Sequence, residues 1–137
     1  MSVHFSSQRL NWKTPKAFYK ELDREFHFDF DPCPPQHEFD GLKISWGQRN
    51  FCNPPYGREI GKWLDKGVTE WMDGKLVVFL IPSRTDTKWW HDCCMQATEI
   101  RFIKGRLRFD DQKNPAPFPS ALVIFKPSEH WPITKIK

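Results

Sequence analysis

The six residues Leu76-Val77-Val78-Phe79-Leu80-Ile81 form an unbroken apolar run between Gly74 and Pro82. The run has no alternation that would leave one face for water, and it is short for a buried helix. It predicts a strand covered on both faces, the pattern of an inner strand in a parallel sheet with helices above and below. Helices to cover it are legible on the N-terminal side. Past Gly57, the residues Ile60, Trp63, Leu64, Val68, Trp71 and Met72 fall at offsets 0, 3, 4, 8, 11 and 12, along one stripe of a helix that Gly74 closes. Thr14 followed by Pro15 is a helix-start signal, an N-cap oxygen and then a ring already set at the helical φ. Phe18, Leu22 and Phe26 follow at helical spacing, which predicts a first helix over about 15–25.

Phe26-His27-Phe28-Asp29-Phe30 alternates aromatic and polar residues and runs into Asp31-Pro32. That predicts a strand with Asp31 at its C-terminal end. Residues 33–49 are rich in proline, glycine and polar side chains and read as a connection, with room for a short strand near Leu42. Asn50-Phe51-Cys52 is a brief apolar entry into Asn53-Pro54-Pro55-Tyr56-Gly57, where two consecutive prolines must leave a sheet. Another helix is predicted to start near Thr85-Asp86 and to carry Trp89 and Trp90. Residues 100–103, 107–109 and 121–125 predict further strands, with Pro115, Pro117 and Pro119 in the loop before the last. Strands alternating with helices define an α/β domain with a mostly parallel sheet, helices on both faces and an antiparallel C-terminal pair. One domain over 1–137 is expected, with 1–9 and 128–137 as loose termini.

Hydrophobic content of 39% and charged content of 28% are globular values, and neither a long apolar run nor a signal-peptide pattern is present. A soluble, cytoplasmic protein is expected, with no membrane partner. Cys33, Cys52, Cys93 and Cys94 contain no C-x-x-C pair, and adjacent cysteines rarely serve one tetrahedral metal, so they read as reduced thiols and no metal is expected. A net charge of +4 fits many functions. Its distribution says more: Arg101, Lys104, Arg106 and Arg108 crowd into eight residues ahead of Lys113, the pattern of a phosphate footprint or of a solvated basic hairpin. Most of the seven tryptophans and twelve phenylalanines must fill the core, leaving a few to stack on bases.

Ligands of open α/β sheets bind at the carboxyl ends of strands, where both Asp31-Pro32-Cys33 and Asn53-Pro54-Pro55-Tyr56 are predicted to lie. The tetrapeptide suits the activation of a planar amine. The lone pair of an aromatic amine is delocalised, so acceptors must draw on its hydrogens. The Asn53 amide oxygen and the Pro54 carbonyl each take one N–H in this reading, proline supplies no competing donor, and Tyr56 stacks on the ring. Such a site works by orientation and electrostatic fit, without a nucleophilic cysteine. Arg84, Thr85 and Lys88 follow the buried strand and face the same rim, as contacts for DNA phosphates or as solvated surface. Phe109 and Phe118 are candidates for holding an extruded base by stacking, since chemistry on a base requires taking it out of the stack. Trp89-Trp90-His91 is read as core without a functional role.

Asn11-Trp12-Lys13-Thr14-Pro15, Asp31-Pro32-Cys33, Asp40-Gly41-Leu42, Asn53-Pro54-Pro55-Tyr56-Gly57, Ile81-Pro82-Ser83-Arg84-Thr85, Gly105-Arg106-Leu107 and the segment 115–123 together resemble the bacteriophage DNA N6-adenine methyltransferase family. The resemblance covers residues 10–126. It implies a Rossmann-like methyltransferase fold and a site-specific DNA adenine methyltransferase that uses S-adenosylmethionine and flips its target base. Carried onto matching residues, it implies that Thr14 and Pro15, with Trp12 beside them, form an N-terminal cofactor element. It further implies that Asp31, Pro32 and Cys33 form the first cofactor motif, and that Asp40 meets the adenine amino group of the cofactor. Asn53, Pro54, Pro55 and Tyr56 then bind and activate the target base. Arg106 and Arg108 join Arg84, Thr85 and Lys88 as candidate DNA contacts of a monomer or homodimer. Cytosine N4 and a protein glutamine amide remain alternative acceptors. Pro34, Pro35 and Gln36 stand where related methyltransferases often carry glycine, which keeps open a DNA-binding module without catalysis.

Overall fold

The computed structural model describes residues 12–35 and 38–128. Its framework is a four-stranded sheet of β1 (Arg49–Cys52), β2 (Leu76–Pro82), β3 (Glu99–Phe102) and β4 (Ser120–Phe125), in the order β1-β2-β4-β3. The apolar run is β2, and all 7 of its residues are buried. β1 pairs with it in parallel, Phe51 opposite Val78, while β4 pairs antiparallel on its other edge, Phe79 opposite Val123. β3 lies antiparallel to β4 at the far edge. The helices are α1 (Lys16–Phe26), α2 (Ile60–Met72) and the short α3 (Lys88–Asp92). Among the described residues no helix is long and apolar enough to cross a membrane.

The mostly parallel sheet expected from the sequence is therefore replaced by a mixed one, although the antiparallel C-terminal pair is present. Burial on both faces marks an inner strand but does not choose the direction of its neighbours. Connections choose it. The 103–119 segment between β3 and β4 carries no helix, and a return without a helical crossover brings the chain back antiparallel. Because β4 opposes both of its neighbours, β1, β2 and β3 still point the same way.

Alternation along the strands assigns the covering layers. Phe79, with Phe125 and Phe102 in register on the same side, faces α2 and α3: the Trp71 ring lies 5.2 Å from Phe125, and Trp90 stacks on Phe102 at 6.3 Å. Gly67 lets α2 approach closely, since a Cβ there would run into the Phe79 ring. On the opposite face Phe51 meets Tyr19 of α1 at 5.2 Å. There Arg101 reaches across to Glu25, with its guanidinium 5.5 Å from the centre of the Phe26 ring. Arg101 is thus committed to holding α1 on the sheet, and the four-charge cluster read from the sequence loses one member.

Three local expectations fail for identifiable reasons. The strand over 26–30 shrinks to one parallel bridge, Phe30 with Asn50. His27 caps α1 in the left-handed conformation (φ 52°), and the Asp23 carboxylate takes the Phe28 N–H, so extended backbone begins only beside Arg49. Residues 107–109 are not a strand. The Ala116 N–H bonds to the Leu107 carbonyl, and Pro115, Pro117 and Pro119 have no donors for a ladder. Around Leu42 the chain turns, with the Asp40 side chain accepting from the Leu42 N–H, instead of forming a strand. The helix placed near Thr85 starts at Lys88, and Thr87 is its cap, accepting from the Trp90 N–H.

The long connection before β1 is tied down by a buried ion pair. Lys75 Nζ donates to Glu70 Oε1 (2.5 Å), to Ser45 Oγ and to the Trp46 carbonyl, and Glu70 also accepts from Lys66 and from the Trp46 N–H. Burial alone would push the Glu70 carboxyl up, but these bonds outweigh it and hold the carboxyl below its ordinary value. With every polar atom matched, the pair fixes the 41–48 loop more than it adds net stability. Removing Lys75 leaves the buried Glu70 carboxylate with only the Lys66 ammonium and the Trp46 N–H to compensate it. Lys75→Met is therefore expected to cost about 3–5 kcal/mol in urea unfolding at neutral pH, with the loss shrinking in acid as Glu70 is protonated.

Candidate active site

Three chain segments converge where β1 and β2 end. At the end of β1, Pro54 and Pro55 turn the chain out of the sheet and leave Asn53 at the rim, and the extended stretch bonded to β1 places Asp31 beside it. The third segment is 12–14, lying against the 109–112 turn through a bridge between Lys13 and Asp110 and an ion pair from Lys13 to Asp111 at 3.1 Å. Together they line a cleft of about 280 Å³ formed by Trp12, Thr14, Asp31, Cys33, Asn53 and Asp110 among others.

The Asn53 side chain has one possible orientation. Its Nδ2 donates to the Trp12 carbonyl, a pure acceptor, and to Thr14 Oγ1 at 3.0 Å. A flipped amide would set oxygen against oxygen. Asn53 Oδ1 is consequently aimed away from these partners, buried and without a hydrogen bond among the described residues. An acceptor in that condition costs about 1–3 kcal/mol until a donor reaches it. Among the described residues none donates to the Pro54 carbonyl.

Thr14 was expected to cap the first helix. It does not: α1 has no side-chain cap from its own sequence, and the Lys16 N–H instead meets Asp110 Oδ2 at 3.2 Å, from 94 residues away. The Thr14 hydroxyl is thereby left for Asn53. Pro15 serves as the helix-entry residue, its carbonyl accepting from Tyr19.

Asp31 accepts from the Cys33 N–H at 2.9 Å and, among the described residues, forms no ion pair. Burial pushes its carboxyl up to about 6, with the Cys33 bond opposing. Asp40 lies apart, in a neighbouring hollow of about 610 Å³ with Phe39, Leu42, Pro55 and Trp63, and Cys33 lines both spaces. Gly41 makes that neighbourhood possible: a Cβ there would clash with the Pro32 carbonyl and come within 2.8 Å of the Trp63 ring. Burial pushes the Cys33 thiol up to about 12, and Cys52 is also raised, so neither offers a thiolate nucleophile. Among the described residues no group of His, Cys, Asp and Glu is placed to hold a metal ion.

On the far side of Trp12 lies a third hollow of about 470 Å³, bounded by Tyr56, Ile60, Pro82, Arg84, Trp89 and Phe118. Tyr56 donates its phenol hydrogen to the Leu80 carbonyl at 3.0 Å, and burial keeps it protonated. Its ring packs edge-on against Phe118 (5.6 Å) and Phe109 (6.4 Å). Phe109 is 0% exposed and supports Trp12 and Phe118 from behind, whereas Phe118 borders the hollow. Arg84 stands at this hollow, Thr85 beside it is exposed, and Lys88 is exposed and paired to Asp92. Arg106 and Arg108 line neither of these spaces and are exposed on the loop after β3, where Arg108 donates to the carbonyl of Gln112, a residue of the first cleft. Sequence reading missed Asp110, Asp111 and Gln112 as cleft residues. Only the turn-like Asp110-Asp111-Gln112-Lys113-Asn114-Pro115 marked them, and Asp111 indeed adopts φ 71°.

The arrangement defines a small-ligand site on the carboxyl rim of an α/β domain, built from aimed hydrogen-bond acceptors and not from a nucleophile. A family model described as DNA N-6-adenine-methyltransferase (Dam) matches residues 2–136. A protein of Haemophilus phage HP1 (strain HP1c1), named "DNA N-6-adenine-methyltransferase", is 30% identical over 139 residues, covering 85% of this chain and 78% of that protein. No solved structure matches. The chain belongs to the DNA N-6-adenine-methyltransferase family.

A buried carboxylate without a cation is a burden on the fold. Because the Asp31 pKa is raised in the folded protein from 3.8 to about 6, its favourable contribution is complete below pH 4 and is lost as pH rises through 6. Asp31→Asn should therefore unfold later than the parent at pH 7.5, by about 2 kcal/mol in urea titrations, and the gain should vanish near pH 4. Equal stabilities at pH 7.5 would show that the carboxylate is not strained.

Proposed function

We propose that this chain methylates the exocyclic N6 of adenine in DNA, taking the methyl group from S-adenosylmethionine. The observation that carries the reading is Asn53 Oδ1, buried and unpaired on an amide whose other end is anchored. An acceptor held this way favours a bound amine that brings its own hydrogen. Membership of the family supports adenine as that amine.

The cleft suits the proposed donor on chemical grounds. Asp31, Asp110 and Asp111 set three carboxylates against one ammonium, that of Lys13, so the lining favours a ligand bearing positive charge. In this reading Asp31 holds the amino-acid end, while Thr14, whose hydroxyl accepts from Asn53, lines the cleft beside it. Asp40 accepts from the adenine amino group of the donor, with Phe39, Leu42 and Trp63 providing the apolar wall. Bound S-adenosylmethionine supplies a methyl group on a positively charged sulfur. The chain does the rest by orientation: Asn53 Oδ1 accepts one N6 hydrogen and the Pro54 carbonyl the other, which favours a pyramidal nitrogen with its lone pair aimed at the methyl carbon. The aromatic hollow beside Trp12, with Tyr56 and Phe118, receives the extruded base, and Phe109 stiffens it from behind. Arg84, Thr85, Lys88, Arg106 and Arg108 contact the phosphates.

Incubation with labelled donor and DNA, followed by mass analysis of the nucleosides, should yield N6-methyladenine. Methylcytosine, or label only in protein, would redirect the acceptor. Asn53→Ala is expected to lower kcat by about 10²-fold and leave donor affinity, measured by calorimetry, unchanged; equal losses in both would remove the proposed role. Replacing Arg106 and Arg108 together by Ala should reduce the slope of log affinity against log salt by about 1.8 for duplex DNA, and an unaltered slope would place the phosphates elsewhere.

A further inference from the structure

The residues around Asn53 do more than frame the cleft. Rotation of a side-chain amide by half a turn exchanges an acceptor for a donor at nearly the same position. A target amine needs the acceptor, so a site that tolerated both orientations would spend part of its time closed to its substrate. The Trp12 carbonyl, a pure acceptor facing Asn53 Nδ2, prevents this, and Thr14 Oγ1, accepting the second Nδ2 hydrogen, holds the plane of the amide. Neither is free to wander. The Lys13 carbonyl accepts from the Asp110 N–H at 2.9 Å, Lys13 Nζ is paired with Asp111, and Asp110 Oδ2 holds the first N–H of α1. The segment is thus clamped between the end of β1 and the 109–112 turn.

We propose that Thr14 is a positioning residue for the transfer step: it acts through Asn53, holding the plane of an amide whose orientation the Trp12 carbonyl sets, so that Oδ1 stays aimed at the target amine, and the Asp110–Asp111 turn holds Thr14 in place. This rests on the proposed role of Asn53 as acceptor of the amine hydrogen. The hydroxyl is free for the task because Asp110, not Thr14, meets the first N–H of α1. A residue acting only through the donor pocket would change donor affinity, whereas one acting through Asn53 changes the rate of transfer from a fully bound complex.

The test compares Thr14→Val, which keeps shape but removes the acceptor, with Thr14→Ser, which retains it. Thr14→Val should lower kcat about 10-fold, the effect of one lost hydrogen bond of some 1.4 kcal/mol, with the KM for DNA and the Kd for S-adenosylmethionine unchanged. Thr14→Ser should restore kcat. In an Asn53→Ala background Thr14→Val should have no further effect, because the two act as one unit. Wild-type kcat in Thr14→Val, equal slowing in Thr14→Ser, or a loss confined to donor affinity would each overturn the proposal. A separate readout needs neither substrate nor activity: in protein carrying ¹⁵N-asparagine, the Asn53 side-chain amide hydrogens should exchange with solvent faster in Thr14→Val than in the parent. Unchanged exchange would overturn the clamp even if methyl transfer is found. Absence of methyl transfer in the parent, with faster exchange in the variant, would sink the functional reading and leave the clamp standing.

Discussion

Asn53, at the centre of the cleft, takes its place through β1 from β2, which is paired on both edges and covered on both faces. A strand so enclosed cannot shift register without dragging a full set of side chains into the wrong layer. Its parallel partner β1 inherits that precision, and β1 ends at Cys52, one residue before the amide whose orientation matters. The prolines that follow remove the chain from the sheet at a fixed point, because they cannot extend the ladder. A rigid sheet and an abrupt exit together hold Asn53 in position, while the tie to residues 12 and 14 fixes how its amide faces.

The same region carries costs that the rest of the fold must offset. Asp31 is partly desolvated without a cation, Asn53 Oδ1 lacks a donor, and Asp111 takes a left-handed conformation. These features gather along one rim, as expected where ligand binding is to relieve them. Elsewhere the polar interior is largely matched, the buried hydroxyls of Ser83 and Ser120 excepted. Asn50, fully buried, satisfies both ends of its amide on Gly47 and Leu76, and the Glu70–Lys75 pair leaves no charge unmet. The contrast between Asn50 and Asn53, three residues apart on the same strand exit, separates an asparagine that holds structure from one poised for a ligand.

Much of this was legible in the residues. The inner strand, the stripe of α2 and the exit at Asn53-Pro54-Pro55 follow from local rules of burial, periodicity and proline geometry. What escaped was decided by partners distant in sequence. The direction of β4 depends on the helix-free 103–119 connection, not on the apolar pattern of the strand itself. Thr14 looked like a helix cap because it precedes Pro15, and only the arrival of Asp110 shows that the capping position was taken. Phe109 was a candidate for stacking on a base and is fully buried, since an aromatic residue carries no local mark of the depth at which it ends up. Arg101 appeared in a basic cluster, and Glu25, 76 residues away, removed it from that role.

The position of β4 also bears on when the protein first becomes competent. In sequence it is the last strand of the sheet, yet in space it stands between β2 and β3. While the chain emerges from the ribosome, β1 and β2 can pair as soon as they appear, but β3 lacks its own partner until residues 120–125 are made. The loop that carries Asp110, Asp111 and Phe118 is likewise slack until then. Domains generally form from the N-terminus as they are synthesised, and this one withholds its closing element. A nascent chain stalled before Ser120 would display the Asn-Pro-Pro-Tyr residues without the strand that completes the sheet beneath them.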